Sequence, residues 1–84
     1  MSPPAYWTRW LEIPDAYYND SPPEVQQQIR ERITELMMNP YPPDADYDAS
    51  HDSFTATFGG GTGIITYAVV EQNKCILILR LLSL

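Results

Sequence analysis

The sequence has 84 residues, 44% hydrophobic and 12% aromatic, which is enough apolar material for one packed core and too much for a disordered chain. Eleven carboxylates face five basic side chains, for a net charge of −6; nucleic-acid affinity rests on Lys and Arg neutralising phosphates, so this balance argues against nucleic acid as a partner. A single cysteine, Cys75, excludes an internal disulfide framework and suits a reducing compartment. No basic segment followed by an apolar run opens the chain. The longest apolar stretch, Cys75 to Leu79 resuming at Leu81, falls far short of the roughly 20 residues a membrane-spanning helix needs. The expectation is a soluble, cytoplasmic protein without membrane contact, residues 1–84 forming a single domain.

In chain order, residues 1–4 read as a loose leader. Residues 5–13 are rich in Tyr, Trp, Thr and Ile and read as a strand ended by Pro14, with a short helical turn over residues 15–19. Ser21-Pro22-Pro23-Glu24 has the form of a capping box, and Val25, Ile29, Ile33, Leu36 and Met37 then form one apolar stripe; together they predict a helix over residues 22–38, stopped by Asn39-Pro40. An acidic, proline-bearing connection follows, residues 41–52. Residues 53–84 predict a three-strand antiparallel meander, with Gly59-Gly60-Gly61 and Gln72-Asn73-Lys74 as its turns. The fold class is therefore α+β, one main helix plus a short helical turn packed on an antiparallel sheet of three to four strands.

Strict alternation along the last strand puts Cys75, Leu77, Leu79, Leu81 and Ser83 on one face. It puts Ile76, Ile78, Arg80, Leu82 and Leu84 on the other. One layer of helix covers one face of a sheet, so a second apolar face needs another cover. The aromatic N-terminal segment could fold over it. A protein partner or a second copy could dock there instead, and this makes Ile76, Ile78, Arg80, Leu82 and Leu84 the candidate partner-binding residues.

Other constellations carry less. Asp44, Asp46 and Asp48 alternate as in a calcium loop, but Ala49 stands where glycine is needed and Thr55 where a bidentate glutamate is needed, so a solvated acidic loop is the better account and no metal or cofactor is implied. Ser50, His51 and Asp52 are consecutive, and consecutive side chains do not converge on one reacting atom. Cys75 opens an apolar strand and reads as a packed residue. The run Gly59 to Gly63 lacks the lysine and the following helix of a phosphate loop. Arg30 and Arg32 diverge on the helix and read as solvated. Arg80, among aliphatics, reads as reaching the sheet edge or pairing with a carboxylate. No residue set stands out as catalytic.

The order of elements, with Ser21-Pro22-Pro23-Glu24-Val25, then Glu35-Leu36-Met37-Met38-Asn39-Pro40, then Ile64-Ile65-Thr66-Tyr67 and Ile76 to Leu79, resembles the RelE/ParE toxin superfamily over residues 10–84. The resemblance implies a toxin-like scaffold. Ribosome-dependent ribonucleases of that superfamily carry Lys or Arg on the first two meander strands and a basic residue or histidine after the last. Here the matching positions hold Thr55, Thr57 and Ile64, and the sequence ends at Ser83-Leu84. The resemblance thus implies a scaffold without the usual ribonuclease groups, whereas the ParE branch, associated with gyrase poisoning, acts by binding. Three functions follow. The first is a non-catalytic toxin-like protein that binds another protein, such as an antitoxin-like chain or a second copy. The second is an active toxin, and the third an unrelated acidic interaction or immunity-like protein.

Overall fold

The computed structural model describes residues 4–84, so all of the expected leader except Pro4 lies outside the described residues. The chain runs β1 (Trp7–Trp10), α1 (Glu12–Asp20), α2 (Pro23–Met38), β2 (Asp46–Asp48), β3 (Ser53–Phe58), β4 (Gly63–Val70) and β5 (Cys75–Ser83). The class is α+β, but the sheet is larger and more mixed than the sequence predicts. Its five strands lie in the order β1-β5-β4-β3-β2, and β1 runs parallel to β5 while every other pair is antiparallel.

The apolar stripe of α2 decides where the core sits. Ile29, Ile33 and Leu36 are buried against Ala56, Phe58, Ile65, Tyr67, Ile76, Ile78 and Leu81, which all point to one side of the sheet. Each such aliphatic contributes about 1.5–3 kcal/mol by leaving water. Tyr67 anchors this core. Its ring stacks on Phe54 at 5.4 Å and its hydroxyl donates to the Pro40 carbonyl at 2.8 Å, which satisfies the only polar atom of a fully buried side chain. Burial pushes its phenol up to about 12.

Proline and serine act differently from the sequence prediction near the N-terminus. Pro14 does not end a strand; it lies in the first turn of α1, where the missing amide hydrogen has no intrahelical acceptor anyway. The strand therefore closes at Trp10, and the helical turn becomes a nine-residue helix. Ser21 closes α1, donating through Oγ to the Tyr17 carbonyl at 2.6 Å, and Pro22 caps α2 without a side-chain bond. The capping box does not form. The aromatic segment also does not cross the second face of the sheet. It joins the sheet edge, with Trp10 turned inward to meet Tyr18 edge-on at 5.4 Å.

A β-bulge in β5 sets the outer face. Tyr67 pairs with Ile78 but Thr66 pairs with Arg80, so Leu79 is an extra residue and the alternation inverts there. Ile76, Ile78 and Leu81 consequently share the helix side, while Leu77, Arg80 and Leu82 share the other. Both helices pack on the first side, as Ile29, Ile33 and Leu36 of α2 and Tyr17 and Tyr18 of α1 show. The opposite side has no layer over it among the described residues.

The turn between β3 and β4 needs all three glycines, since Gly59, Gly60 and Gly61 adopt φ of 62°, 68° and 99°, the region that favours glycine. A backbone requirement thus accounts for the glycine run. Gly63 is fixed by packing: a Cβ there would come within 2.1 Å of the Phe58 ring paired across from it.

Candidate functional site

The outer face of β3, β4 and β5 is built from the side chains that the pleat and the bulge turn away from the helices. Ile64, Ala68, Leu77, Leu79 and Leu82 make it apolar, and none of them belongs to the core cluster. Leu82 is 37% exposed and Leu84, just past the strand, 77%. Of the five residues predicted to bind a partner, Arg80, Leu82 and Leu84 are exposed, whereas Ile76 and Ile78 are completely buried under the helices. The bulge at Leu79 separates them. Nothing in the alternation of the sequence marks that inversion.

Toward the β2–β3 loop the same face hollows into a concavity of about 510 Å³. Thr55, Thr66, Leu79 and Arg80 form its floor, and Ser53, Asp48 and His51 form its wall. The loop holds its shape through Asp52, whose φ of 49° is a left-handed conformation that aspartate tolerates, and through the Tyr47 hydroxyl, which donates to Asp52 Oδ1 at 2.7 Å. Asp48 is the hub. Its Oδ1 accepts from the Ser50 amide at 3.0 Å and the Ser50 hydroxyl at 2.6 Å, and its Oδ2 lies 2.8 Å from His51 Nδ1. Bonds from Ser50 first and His51 second hold this carboxyl down at about 2. His51, largely exposed, is thereby held through Nδ1. Sequence reasoning set His51 aside because its immediate neighbours could not form a triad; the relevant partner, Asp48, is three residues away across a tight turn.

The cations are distributed in a way that the sequence did not disclose. Arg32, read as solvated, is only 13% exposed; it binds Asp44 at 2.6 Å and lies 3.7 Å from Glu35, tying α2 to the segment after it. Lys74 binds Glu71 at 2.9 Å, and Arg30 donates to the Tyr18 hydroxyl at 2.7 Å. Glu71 also accepts from Tyr6 at 2.7 Å and from Tyr41. The Tyr41, Tyr6 and Lys74 donors, in that order, hold its carboxyl down at about 2. Among the described residues, Arg9 and Arg80 have no ion-pair partner. Both point to the outer face, Arg9 across from Leu77 and Arg80 across from Thr66.

Of the three alternating aspartates, Asp44 binds Arg32 and Asp48 binds Ser50 and His51, while Asp46 lies exposed across from Thr55. Among the described residues no group of three His, Cys, Asp or Glu side chains is placed to hold a metal ion. No helix among them is long and apolar enough to cross a membrane. Chemically, the face offers an apolar floor, two guanidiniums without ion-pair partners among the described residues (Arg9 near its β1 edge and Arg80 in the concavity) and one carboxylate-oriented imidazole. Thr55 and Thr57 of β3 lie on this face too, across from Thr66 and Ile64 of β4.

No protein-family model and no curated protein sequence matches the chain. Solved structures do. The isolated E. coli RelE toxin superposes with a TM-score of 0.82 at 13% identity, covering 94% of this chain and 84% of that one. The RelBE2 toxin–antitoxin complex of Mycobacterium tuberculosis gives 0.79 at 19% identity, covering 96% and 99%. The archaeal RelE–RelB complex of Pyrococcus horikoshii OT3 gives 0.71 at 18% identity, covering 94% of each chain. At these identities what is shared is the backbone architecture, and the chain has the fold of the RelE toxins.

Proposed function

We propose that this chain is a toxin-like protein of a toxin–antitoxin type pair that acts by binding another protein and not by cleaving RNA. The observation that carries this is the outer face of the sheet, which is apolar across β4 and β5 and has no covering layer among the described residues. Water contact at such a face is unfavourable by about 25 cal/mol for each Å² of apolar surface, and a partner chain removes it. Charge supports the reading. A surface that processes a polyanion needs several cations around the scissile phosphate, and this concavity has Arg80 alone in a chain of net charge −6. Similar structures crystallised with RelB chains make an antitoxin-like partner the natural one to test. The buried free thiol of Cys75 suits the reducing cytoplasm as the site of action.

The test is co-expression with the products of the reading frames that flank the gene. Wild type should co-purify with one of them as a stable complex, and a Leu79→Asp, Leu82→Asp double variant that keeps its circular dichroism should not. A complex indifferent to those substitutions places the partner elsewhere and overturns the reading.

A second reading rests on the Asp48–His51 pair beside Arg80. A carboxylate-oriented imidazole is a competent general base for a ribose hydroxyl, and a guanidinium can hold a phosphate. If induced expression arrests growth with transcript cleavage that His51→Ala abolishes, this reading replaces the first.

A further inference from the structure

The charges left over on the outer face specify what kind of segment fits it. Three of the five cations are engaged on the helix side and at the sheet end: Arg32 with Asp44 and Glu35, Lys74 with Glu71, Arg30 with the Tyr18 hydroxyl. The two without ion-pair partners among the described residues, Arg9 and Arg80, both project from the uncovered apolar face. Arg80 stands between Leu79 and Leu82 on β5 and across from Thr66 on β4. Asp48 is the carboxylate bordering the same concavity, and its oxygens are already committed to Ser50 and His51. Across β4 and β5 the apolar face of this acidic protein therefore carries a free positive charge, and the carboxylate of Asp46, without an ion-pair partner among the described residues, lies away from Arg80 at the β2 edge, across from Thr55.

We infer that the outer face docks an amphipathic segment of a separate protein chain that lays aliphatic side chains on Ile64, Leu79 and Leu82 and brings a carboxylate onto the Arg80 guanidinium. The inference rests on the protein-binding reading above and adds the chemistry of the partner. Covering Arg80 with an apolar segment alone would strip water from a guanidinium without replacing its hydrogen bonds, which is strongly unfavourable; a carboxylate supplies two acceptors in the matching planar geometry. The same pairing confers selectivity, because a basic or purely apolar segment leaves the guanidinium repelled or unsatisfied.

Two probes test it: a phage-displayed library of random peptides panned on the folded protein, and a short oligouridylate. Peptides selected on wild type should combine aliphatic residues with an Asp or Glu at fixed spacing. They should lose all binding to Leu82→Asp and bind Arg80→Gln about 10- to 100-fold more weakly, the range for a lost hydrogen bond to a charged group. Arg80 is exposed, so the Arg80→Gln protein should fold as wild type does. Selected peptides that lose binding to Leu82→Asp but lack a carboxylate, or that bind Arg80→Gln undiminished, overturn the inference while leaving the docking face in place. Failure to recover any peptide sensitive to Leu82→Asp overturns both. Tight binding of the oligouridylate, lost in Arg80→Gln, overturns the inference in favour of nucleic acid.

Discussion

Ile78 and Leu82 are four residues apart on β5, and the bulge between them assigns them to opposite sides of the sheet; truncating each to alanine should therefore give very different losses. Ile78 is completely buried between β4 and the helices, so Ile78→Ala removes fully desolvated methyl groups and leaves a cavity, a loss of about 2–5 kcal/mol. Leu82 is 37% exposed on a face without a covering layer, so Leu82→Ala opens no cavity and should lose about 1 kcal/mol or less. A chain of this length has a total stability of about 4–13 kcal/mol, so the first substitution consumes a large fraction of it and the second does not. Urea denaturation followed by tryptophan emission reads the difference, because Trp10 packs against Tyr18 in the folded state and is released on unfolding. Equal losses would mean that Leu82 is covered and the outer face is not a surface. A loss below about 1 kcal/mol for Ile78→Ala would mean that the inversion at Leu79 is misplaced.

Three further outcomes follow from the same structure. Tyr67→Phe should lower stability by about 1–3 kcal/mol, since it orphans the buried Pro40 carbonyl while keeping the ring stacked on Phe54, whereas Tyr67→Ala should lose about 3–5 kcal/mol; urea midpoints separate the two. Gly63→Ala should destabilise by about 1–3 kcal/mol or more because its new methyl meets the Phe58 ring, and a wild-type melting temperature in that variant would refute the packing. Glu71 and Asp48 have folded-state carboxyls at about 2, below their ordinary values of 4.5 and 3.8, so the stability they contribute is present above those ordinary values and lost as pH falls through about 2. Urea midpoints should decline from pH 5 to pH 2, and Glu71→Gln should flatten the decline; an unchanged slope in that variant would show that the Tyr6–Tyr41–Lys74 cluster does not tune Glu71.

Some of this architecture is legible in the residues and some is not, for identifiable reasons. The stripe from Val25 to Met37 announces α2 because a single helix covering one sheet face needs only a one-sided period. The alternation of Phe54, Ala56 and Phe58 announces β3 in the same way. β2 escapes notice because Asp46-Tyr47-Asp48 is short and exposed, and its ladder is held by backbone bonds to β3, which have no side-chain signature. α1 is concealed by Pro14, whose meaning reverses according to whether it follows a strand or sits in a helix's first turn. The parallel pairing of β1 with β5 depends on contacts across most of the chain, beyond any local pattern. At the site, the doubly apolar character of β5 is visible in the sequence, but which aliphatics face out is decided by Leu79, one extra residue with no distinguishing chemistry. Arg32 is hidden similarly: its spacing on α2 suggests solvent, and only the return of the chain at Asp44 encloses it.

The most direct measurement of the central claim is the binding of an apolar fluorescent dye to the folded protein, compared with the Leu79→Asp, Leu82→Asp double variant under conditions where both retain their circular dichroism. Saturable binding by wild type that disappears in the variant is the predicted result. A wild-type protein that binds no dye and stays monomeric at high micromolar concentration would contradict it, because the outer face of β4 and β5 would then have nothing to offer a partner.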